Sequence, residues 1–243
     1  MAKSSGINPE LLLSQKLPEK TFTYTERDAA IYALGVGACG RDAVDADELK
    51  YVYHENGQQF IQVLPTFSAL FSFELEPSGA IDLPGLQHDP RLLLHGQQYM
   101  ELYKPFPSSA SIRNEACIAG LHDKGKAAIL EIETKSYNAE SGELLCMNRH
   151  WCIGYLVIII LFIQILWLQK LLVRAIIKFI CRGDPNMVKN IFSRFLLHVY
   201  PGETLVTEMW LQGLRVIYQV KVKERNRSAL SGFVDVHRLA SSL

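Results

Sequence analysis

Alternation of apolar and polar residues dominates two stretches of the chain. Residues 127–134 begin continuously apolar and then alternate, which is typical of a strand in a packed antiparallel sheet. Near the C-terminus, one face of a strand is apolar and the other charged or polar, with Val216, Tyr218, Val220 and Val222 on the apolar face. Extending this criterion along the chain predicts strands over 92–104, 111–121, 126–137, 143–147, 190–197, 204–211, 214–223 and 230–236.

A helix precedes each group of predicted strands. Residues 25–37 form the first, because Thr25 can cap it and two glycines, Gly35 and Gly37, close it. A second helix runs from Lys170 to about Cys181 and stops at Gly183-Asp184-Pro185. The pattern of one helix followed by antiparallel strands therefore occurs once in each half of the chain, which predicts an α+β fold.

Two further segments follow the first helix. Residues 51–53 and 59–64 are predicted to be the strands of a hairpin whose turn is His54-Glu55-Asn56-Gly57. The apolar, aromatic segment 65–76 fits either a helix or a buried strand.

The segment from Trp151 to Gln169 contains no charged side chain. Its length and composition meet the criterion for a membrane-spanning helix, about 20 mostly apolar residues. A buried core helix, or a segment foreign to the normal fold, explains the same pattern. After it, Lys170, Arg174, Lys178 and Arg182 recur every fourth residue, and we interpret this stripe as the solvated face of a packed helix rather than as the cytosolic flank of a span.

Charge and cysteine content narrow the function classes. The chain has 25 basic and 25 acidic residues, which gives no general attraction to nucleic acid. The five cysteines form no CxxC pair, and residues 1–20 lack the apolar core of a secretory signal. We therefore interpret the cysteines as reduced, mostly buried residues, with no metal site.

Several ordered segments carry a family resemblance. They are TYTERDAAIYALGVG (23–37), LPTF (64–67), LPGL (83–86), LLHGQQYMELYKPFP (93–107), DKGKAAILEIETKSYN (123–138) and VYPGETLVTEMWLQGLRVIYQVKVKERN (199–226). Together they resemble enoyl-CoA hydratase 2, the R-specific hydratase of peroxisomal β-oxidation, in its single-function plant form within the MaoC-like hot dog superfamily.

The resemblance implies a double hot dog fold with an incomplete second half. It divides the chain into an N-terminal hot dog that makes the acyl pocket (1–148), an apolar replacement segment (149–173) and the remainder of the C-terminal hot dog (174–243). It further implies hydration of trans-2-enoyl-CoA to (3R)-hydroxyacyl-CoA without a cofactor. That reaction needs a base that activates water, an acid that protonates C2, and a hydrogen-bond donor at the thioester oxygen.

The chain departs from the family in the region where the family carries its catalytic motif. The family carries its catalytic Asp and His in a motif of the form Y-x-L-S-G-D-x-N-P-L-H, and no such string occurs here. The resemblance stops after Arg149 and resumes near Arg174. We therefore expect this form to be impaired as an enzyme. The competing interpretations are a single-pass membrane protein held through 151–169 and a non-catalytic acyl-CoA-binding subunit of hot dog fold.

No remaining residue replaces the missing pair convincingly. His95 and Glu55 are the weak catalytic candidates, and His95 also suits a satisfied structural role. Contact with the acyl-CoA thioester substrate is expected from His95, Gly96, Gln97, Phe67 and Tyr99, although aromatic residues at this spacing are also typical of a core. For protein partners we expect a homodimer, or pairing with a complete hydratase.

The last three residues, Ser241-Ser242-Leu243, resemble a peroxisomal address of the Ser-Lys-Leu type. The central residue is Ser instead of Lys, so the match is incomplete. With the hydratase resemblance, it predicts delivery to the peroxisome.

Overall fold

One antiparallel sheet organises the computed structural model, which describes residues 9–15, 17–71, 93–124, 128–154 and 160–238. The strands are β1 (Lys20–Tyr24), β2 (Leu93–Leu102), β3 (Ala110–Asp123), β4 (Ala128–Asn138), β5 (Leu144–Gly154), β6 (Val188–Phe195), β7 (Leu205–Gln212), β8 (Arg215–Val222) and β9 (Arg227–Val236). The helices are α1 (Pro9–Leu13), α2 (Glu26–Gly35), α3 (Ala46–Leu49) and α4 (Ile160–Phe179), with 3₁₀ turns at Gln58–Phe60, Pro65–Leu70 and Pro185–Met187.

The sheet consists of two halves with the same layout. Its nine strands lie in the order β1-β3-β4-β5-β2-β6-β9-β8-β7, and the halves join where β2 pairs with β6. Counted from this junction, β2, β5, β4 and β3 correspond to β6, β9, β8 and β7. The first half continues to β1, whereas the described part of the second half ends at β7. The double hot dog is thus the observed architecture, and among the described residues its second half has one strand fewer than the first.

Helix α2 forms where the sequence predicts it. The Asp28 carboxylate accepts hydrogen bonds from the Thr25 backbone N–H and hydroxyl, at 2.9 and 2.8 Å, which satisfies the N–H group at the start of the helix. Ala29 and Ala33 are buried against the sheet, and Gly37 leaves the helix with a φ of 85°. Small residues on the buried face let the helix approach the sheet closely.

The uncharged segment 151–169 is not one helix. Residues 151–154 continue β5, where Trp151 pairs with Gln97 of β2 and Glu131 of β4. Helix α4 begins at Ile160, and its later turns bury Leu172, Val173 and Ile176 to 3% exposure or less. Among the helices that the structure describes, none is long and apolar enough to cross a membrane. The span prediction fails because hydropathy cannot distinguish a strand end plus a core helix from a lipid-facing helix.

The basic stripe on α4 is also not a solvated face. The Arg174 guanidinium donates to Glu48 of α3 at 2.5 Å, and the Lys178 ammonium is paired with Asp45. The Lys170 ammonium lies 4.9 Å from the centre of the Tyr32 ring, and burial lowers its pKa to about 8. Arg182 lies beyond the helix end with a φ of 49°. The stripe therefore fastens α4 to elements of the first half.

The hairpin predicted between residues 51 and 64 does not form. Tyr51 is buried and its hydroxyl donates to the Gly183 backbone oxygen at 2.8 Å, which holds the segment against the end of α4. Gly57 has a φ of 117°, and a 3₁₀ turn follows at once. Tertiary contact thus overrides a plausible turn sequence. Of the two structures left open for 65–76, residues 65–70 adopt the helical one as a 3₁₀ turn, and 72–76 lie outside the described residues.

The other predicted strands are confirmed with small shifts in their ends. β5 departs most, because it runs to Gly154 and so past the predicted end at 147. The expected domain boundaries at 148 and 173 consequently fall inside β5 and α4. The core is continuous across both, since buried residues of the two halves belong to one cluster.

Candidate functional site

Three of the candidate substrate-binding residues, His95, Gly96 and Gln97, lie at an irregularity in β2. The pairing of β2 with β5 shifts between His95 and Gln97, so Gly96 lies in a bulge. The bulge changes which side chains point inward: His95 and Gln98 are buried, while Gln97 is only half-buried. Sequence reasoning selected Gln97, but its neighbour Gln98 is the buried amide, because strict alternation does not survive a bulge.

His95 forms part of a buried pair of imidazoles. Its ring meets the His150 ring edge-to-face with centres 5.1 Å apart, and the Phe195 ring at 5.2 Å. Burial, together with the proximity of His150, lowers the pKa of His95 well below its usual value. Burial alone lowers the pKa of His150 to about 4. Burial therefore favours the neutral form of both rings.

A band of polar side chains continues from this pair across the inner face of the sheet. The Asn148 amide donates to the Ser68 backbone oxygen at 3.2 Å, and the Ser193 and Tyr218 hydroxyls are 2.5 Å apart. Within the described ranges, neither polar atom of the Gln98 side chain has a hydrogen-bond partner, nor does the Asn148 side-chain oxygen. Unsatisfied buried amides are costly, and this band is thus the part of the interior suited to polar groups of a ligand.

The other candidates do not converge on His95. Phe67 is fully buried in an aromatic cluster and packs edge-on against Tyr24 at 4.8 Å and Tyr32 at 5.1 Å. Tyr99 follows Gln98 in β2 and so points to the other face of the sheet. There it is half-buried beside Arg149 and Glu101. Glu55 is exposed in the turn that replaces the expected hairpin. Phe67 therefore belongs to the core, and no two of these three residues form a site.

A small cleft is present among the described residues. Its volume is about 50 Å³, and it lies between the end of β2 and the turn before β6, lined by Val63, Pro65, Leu102, Tyr103, Lys104, Pro105, Phe106, Pro185, Asn186, Val188 and His237. Pockets for organic ligands usually measure roughly 300–1,000 Å³. This cleft could hold a few atoms of a ligand, but not an acyl-CoA.

An ion-pair cluster on the outer face of the sheet was not predicted from the sequence. The His122 Nε2 lies 3.1 Å from a Glu131 oxygen, and the other Glu131 oxygen lies 3.2 Å from the Arg149 guanidinium. Arg149 also pairs with Glu133. The three strands bring these residues together only in the fold. The Arg149 guanidinium contacts both carboxylates, so the cluster has the character of a cross-strand ion-pair network.

Metal chemistry finds no support in the described part of the chain. No group of three or more His, Cys, Asp or Glu side chains there could hold a metal ion. The chemistry that the arrangement does allow is hydrogen bonding by neutral amides, hydroxyls and imidazoles within a mostly apolar interior.

The fold has close relatives among solved structures. A MaoC-like dehydratase from Phytophthora capsici superimposes with a TM-score of 0.78, covering 96% of this chain and 100% of its own, at 21% identity. The full-length peroxisomal multifunctional enzyme type 2 from Drosophila melanogaster gives a TM-score of 0.73 over 90% of this chain and 48% of its own, also at 21% identity. The protein therefore has the hot dog fold of these structures.

Sequence comparison narrows this class. Residues 22–153 match the MFE-2 hydratase 2 N-terminal domain. A peroxisomal enoyl-CoA hydratase 2 of Arabidopsis thaliana is 48% identical, with 98% of each chain covered. The mouse peroxisomal multifunctional enzyme type 2 is 29% identical over 92% of this chain and 38% of its own length. The chain belongs to the enoyl-CoA hydratase 2 family.

The Arabidopsis alignment also reveals a difference in length. It extends over 305 positions, whereas this chain has 243 residues, so the relative carries positions that have no counterpart here. The break in resemblance that was expected after Arg149 begins no earlier than residue 154, because the family match extends to residue 153.

Proposed function

We propose that the protein takes trans-2-enoyl-CoA as substrate and hydrates it to (3R)-hydroxyacyl-CoA, as its family does, but at a greatly reduced rate. The choice of substrate rests on one observation, the match along nearly the whole chain to a peroxisomal enoyl-CoA hydratase 2. The buried polar band around Gln98 and Asn148 offers amide groups to a thioester.

The reduced rate follows from the sequence between Arg149 and Arg174. The family's Asp/His motif is absent, and the chain has β5, the start of α4 and their connection at this place. The two buried histidines do not substitute for it, because a neutral imidazole with a depressed pKa is a poor base. A positioned acid or base contributes about 10²–10⁴-fold to a rate, and the deficit should have at least this size.

Hydration of a trans-2-enoyl-CoA by the purified protein tests this proposal. The loss of the conjugated thioester absorbance is followed beside the Arabidopsis relative, and the stereochemistry of the product is determined. We expect (3R) product at a rate at least about 10²-fold below that of the relative. A rate within tenfold of the relative would contradict the impairment. A folded sample with no protein-dependent turnover would contradict the activity itself.

We further propose that the protein acts in the peroxisome. The support is the peroxisomal assignment of the relatives in Arabidopsis and mouse. The tripeptide Ser241-Ser242-Leu243 lies outside the described residues. A fluorescent protein fused ahead of the chain should co-localise with a peroxisomal marker, and the Leu243→Asp variant should disperse into the cytosol. Unchanged peroxisomal import of the variant would show that the C-terminal tripeptide is not the address.

A further inference from the structure

Lys170 differs from the basic residues that follow it in α4, because no acidic side chain among the described residues pairs with it. Arg174 and Lys178, one and two turns further on, both lie within ion-pair distance of Glu48. The Lys170 ammonium lies instead over the ring of Tyr32 in α2, 4.9 Å from its centre. An aromatic ring attracts a cation but carries no net charge. In the described part of the chain, no carboxylate therefore compensates the charge of this lysine.

The surface around Lys170 is apolar where α2 meets α4. Trp167 lies one turn earlier on the same face of α4, and its indole N–H donates to the Gly35 backbone oxygen of α2 at 3.0 Å. The Trp167 side chain is 47% exposed, and that of Leu34, next to Gly35, is 51% exposed. Lys170 itself is half-buried. We call this surface, formed by Tyr32, Leu34, Trp167 and Lys170, the α2–α4 groove. It places a half-buried amine beside exposed apolar side chains.

The groove favours the neutral form of the amine. Burial lowers the pKa of Lys170 to about 8. Two titratable groups face it, the Tyr32 phenol on α2 and the Arg174 guanidinium one turn further along α4. Burial raises the pKa of Tyr32, so the phenol stays uncharged, and Arg174 is held by Glu48. Neither group supplies the negative charge that would keep the lysine protonated.

We propose that Lys170 is an acylation site, whose amine takes the acyl group of an acyl-CoA thioester and holds it as an amide. The lone pair of the neutral Nζ attacks the thioester carbonyl carbon, and the carbon–sulfur bond breaks. CoA leaves as the thiolate and takes up the proton that the nitrogen loses. The amide is uncharged, so the reaction removes an uncompensated charge from the groove. The acyl chain then lies against Trp167 and Leu34.

The choice of acyl-CoA as the donor rests on the proposed function, since a protein that takes an enoyl-CoA encounters acyl thioesters. The two proposals can nevertheless fail separately. A saturated acyl-CoA has no double bond to hydrate and no conjugated C3 that an amine could attack. With octanoyl-CoA as the probe, modification of Lys170 is therefore measured without any contribution from hydratase activity.

Mass spectrometry of the full chain after incubation with octanoyl-CoA at pH 8 tests the site. Hydroxylamine treatment before digestion removes acyl groups from cysteines and leaves lysine amides intact. At pH 8 about half of the Lys170 amine is neutral, against less than about 1% for an ordinary lysine. Lys178 is the matched control in the same helix, because its pairing with Asp45 raises its pKa.

We expect acylation of Lys170 to be at least about tenfold faster than that of Lys178, because lower basicity and partial burial offset only part of the advantage in neutral amine. The Lys170→Arg variant should lose this fast modification, while its other lysines react as in the parent. Acylation of Lys170 that is no faster than that of Lys178 would overturn the proposal.

The pH dependence of the same reaction separates the effect of the groove from simple accessibility. Acylation of Lys170 should increase up to about pH 8 and then level off, because the amine is mostly neutral above its pKa. The side chain of Lys104 is 54% exposed, and its acylation should be slower at pH 8 and continue to increase to about pH 10. A Lys170 rate that increases in parallel with that of Lys104 would contradict the proposal.

Substitutions of Tyr32 test whether the groove causes this behaviour. Tyr32→Phe keeps the ring over the amine, and acylation of Lys170 should level off near pH 8 as in the parent. Tyr32→Ala admits water to the amine, so the levelling should move towards pH 10 and the rate at pH 8 should fall. Circular dichroism confirms that each variant is folded. A folded Tyr32→Ala variant that reacts as the parent does would show that the α2–α4 groove does not activate the lysine.

Discussion

The Ile176→Asp variant is expected to lose its folded structure. Ile176 is fully buried in α4, within the main hydrophobic cluster. The substitution removes apolar contacts worth about 2–5 kcal/mol. It also buries a carboxylate without a partner, which costs several kcal/mol more. The free energy of unfolding of such domains is roughly 5–15 kcal/mol, so the two losses together equal most or all of it.

Chemical denaturation monitored by circular dichroism measures this effect. Phe179→Asp is the matched control, because Phe179 lies in the same helix but is 65% exposed. An acidic residue at the helix C-terminus should lower the free energy of unfolding by no more than about 1 kcal/mol. If both variants unfold at the same denaturant concentration as the parent, α4 is not part of the core.

Restoration of the family's missing block is expected to raise the hydration rate by about 10²–10⁴-fold or more. In this variant, residues 150–173 are replaced by the segment that occupies the same place in the Arabidopsis relative. The reason is chemical: the family resemblance assigns the catalytic Asp and His to this block, whereas the buried polar band around Gln98 and Asn148 is already present. The measurement is the initial rate of loss of the enoyl thioester absorbance.

The control for this transplant is the same block with its motif Asp and His changed to Asn and Gln. It should fold and bind substrate as the transplant does, but remain as slow as the present chain. If the transplant is folded and no faster than the present chain, then the defect does not lie in the replaced segment.

The strands were predictable because their evidence is local. In β8, four inward residues alternate with outward ones that are polar except for Ile217, and the structure buries all of Val216, Tyr218, Val220 and Val222. The cap of α2 was predictable for the same reason, since Thr25 and Asp28 satisfy it between themselves. The double layout and the family followed from segments whose order survives in this chain.

The segment after Arg149 was not predictable, because its structure depends on distant partners. The extension of β5 to Gly154 requires β2 and β4 on either side, and the burial of α4 requires the whole sheet. Uncharged sequence alone fits a membrane, a core helix or a strand. The inward position of Gln98 was missed for a related reason, since the bulge at Gly96 changes the parity of β2 and leaves little trace in the sequence.

Hydrogen exchange along α4 tests most directly the claim that this helix, in which the uncharged segment ends, belongs to the hot dog core. The experiment uses the full-length protein in buffer without lipid or detergent, with peptides that cover residues 167–179. We predict that the amides of Leu172, Val173, Ile176 and Ile177 are protected as strongly as those of β2 and β6, because both groups open only with the whole domain. Rapid exchange in α4, with the strands still protected, would show that the helix is not packed in the sheet and would contradict this account.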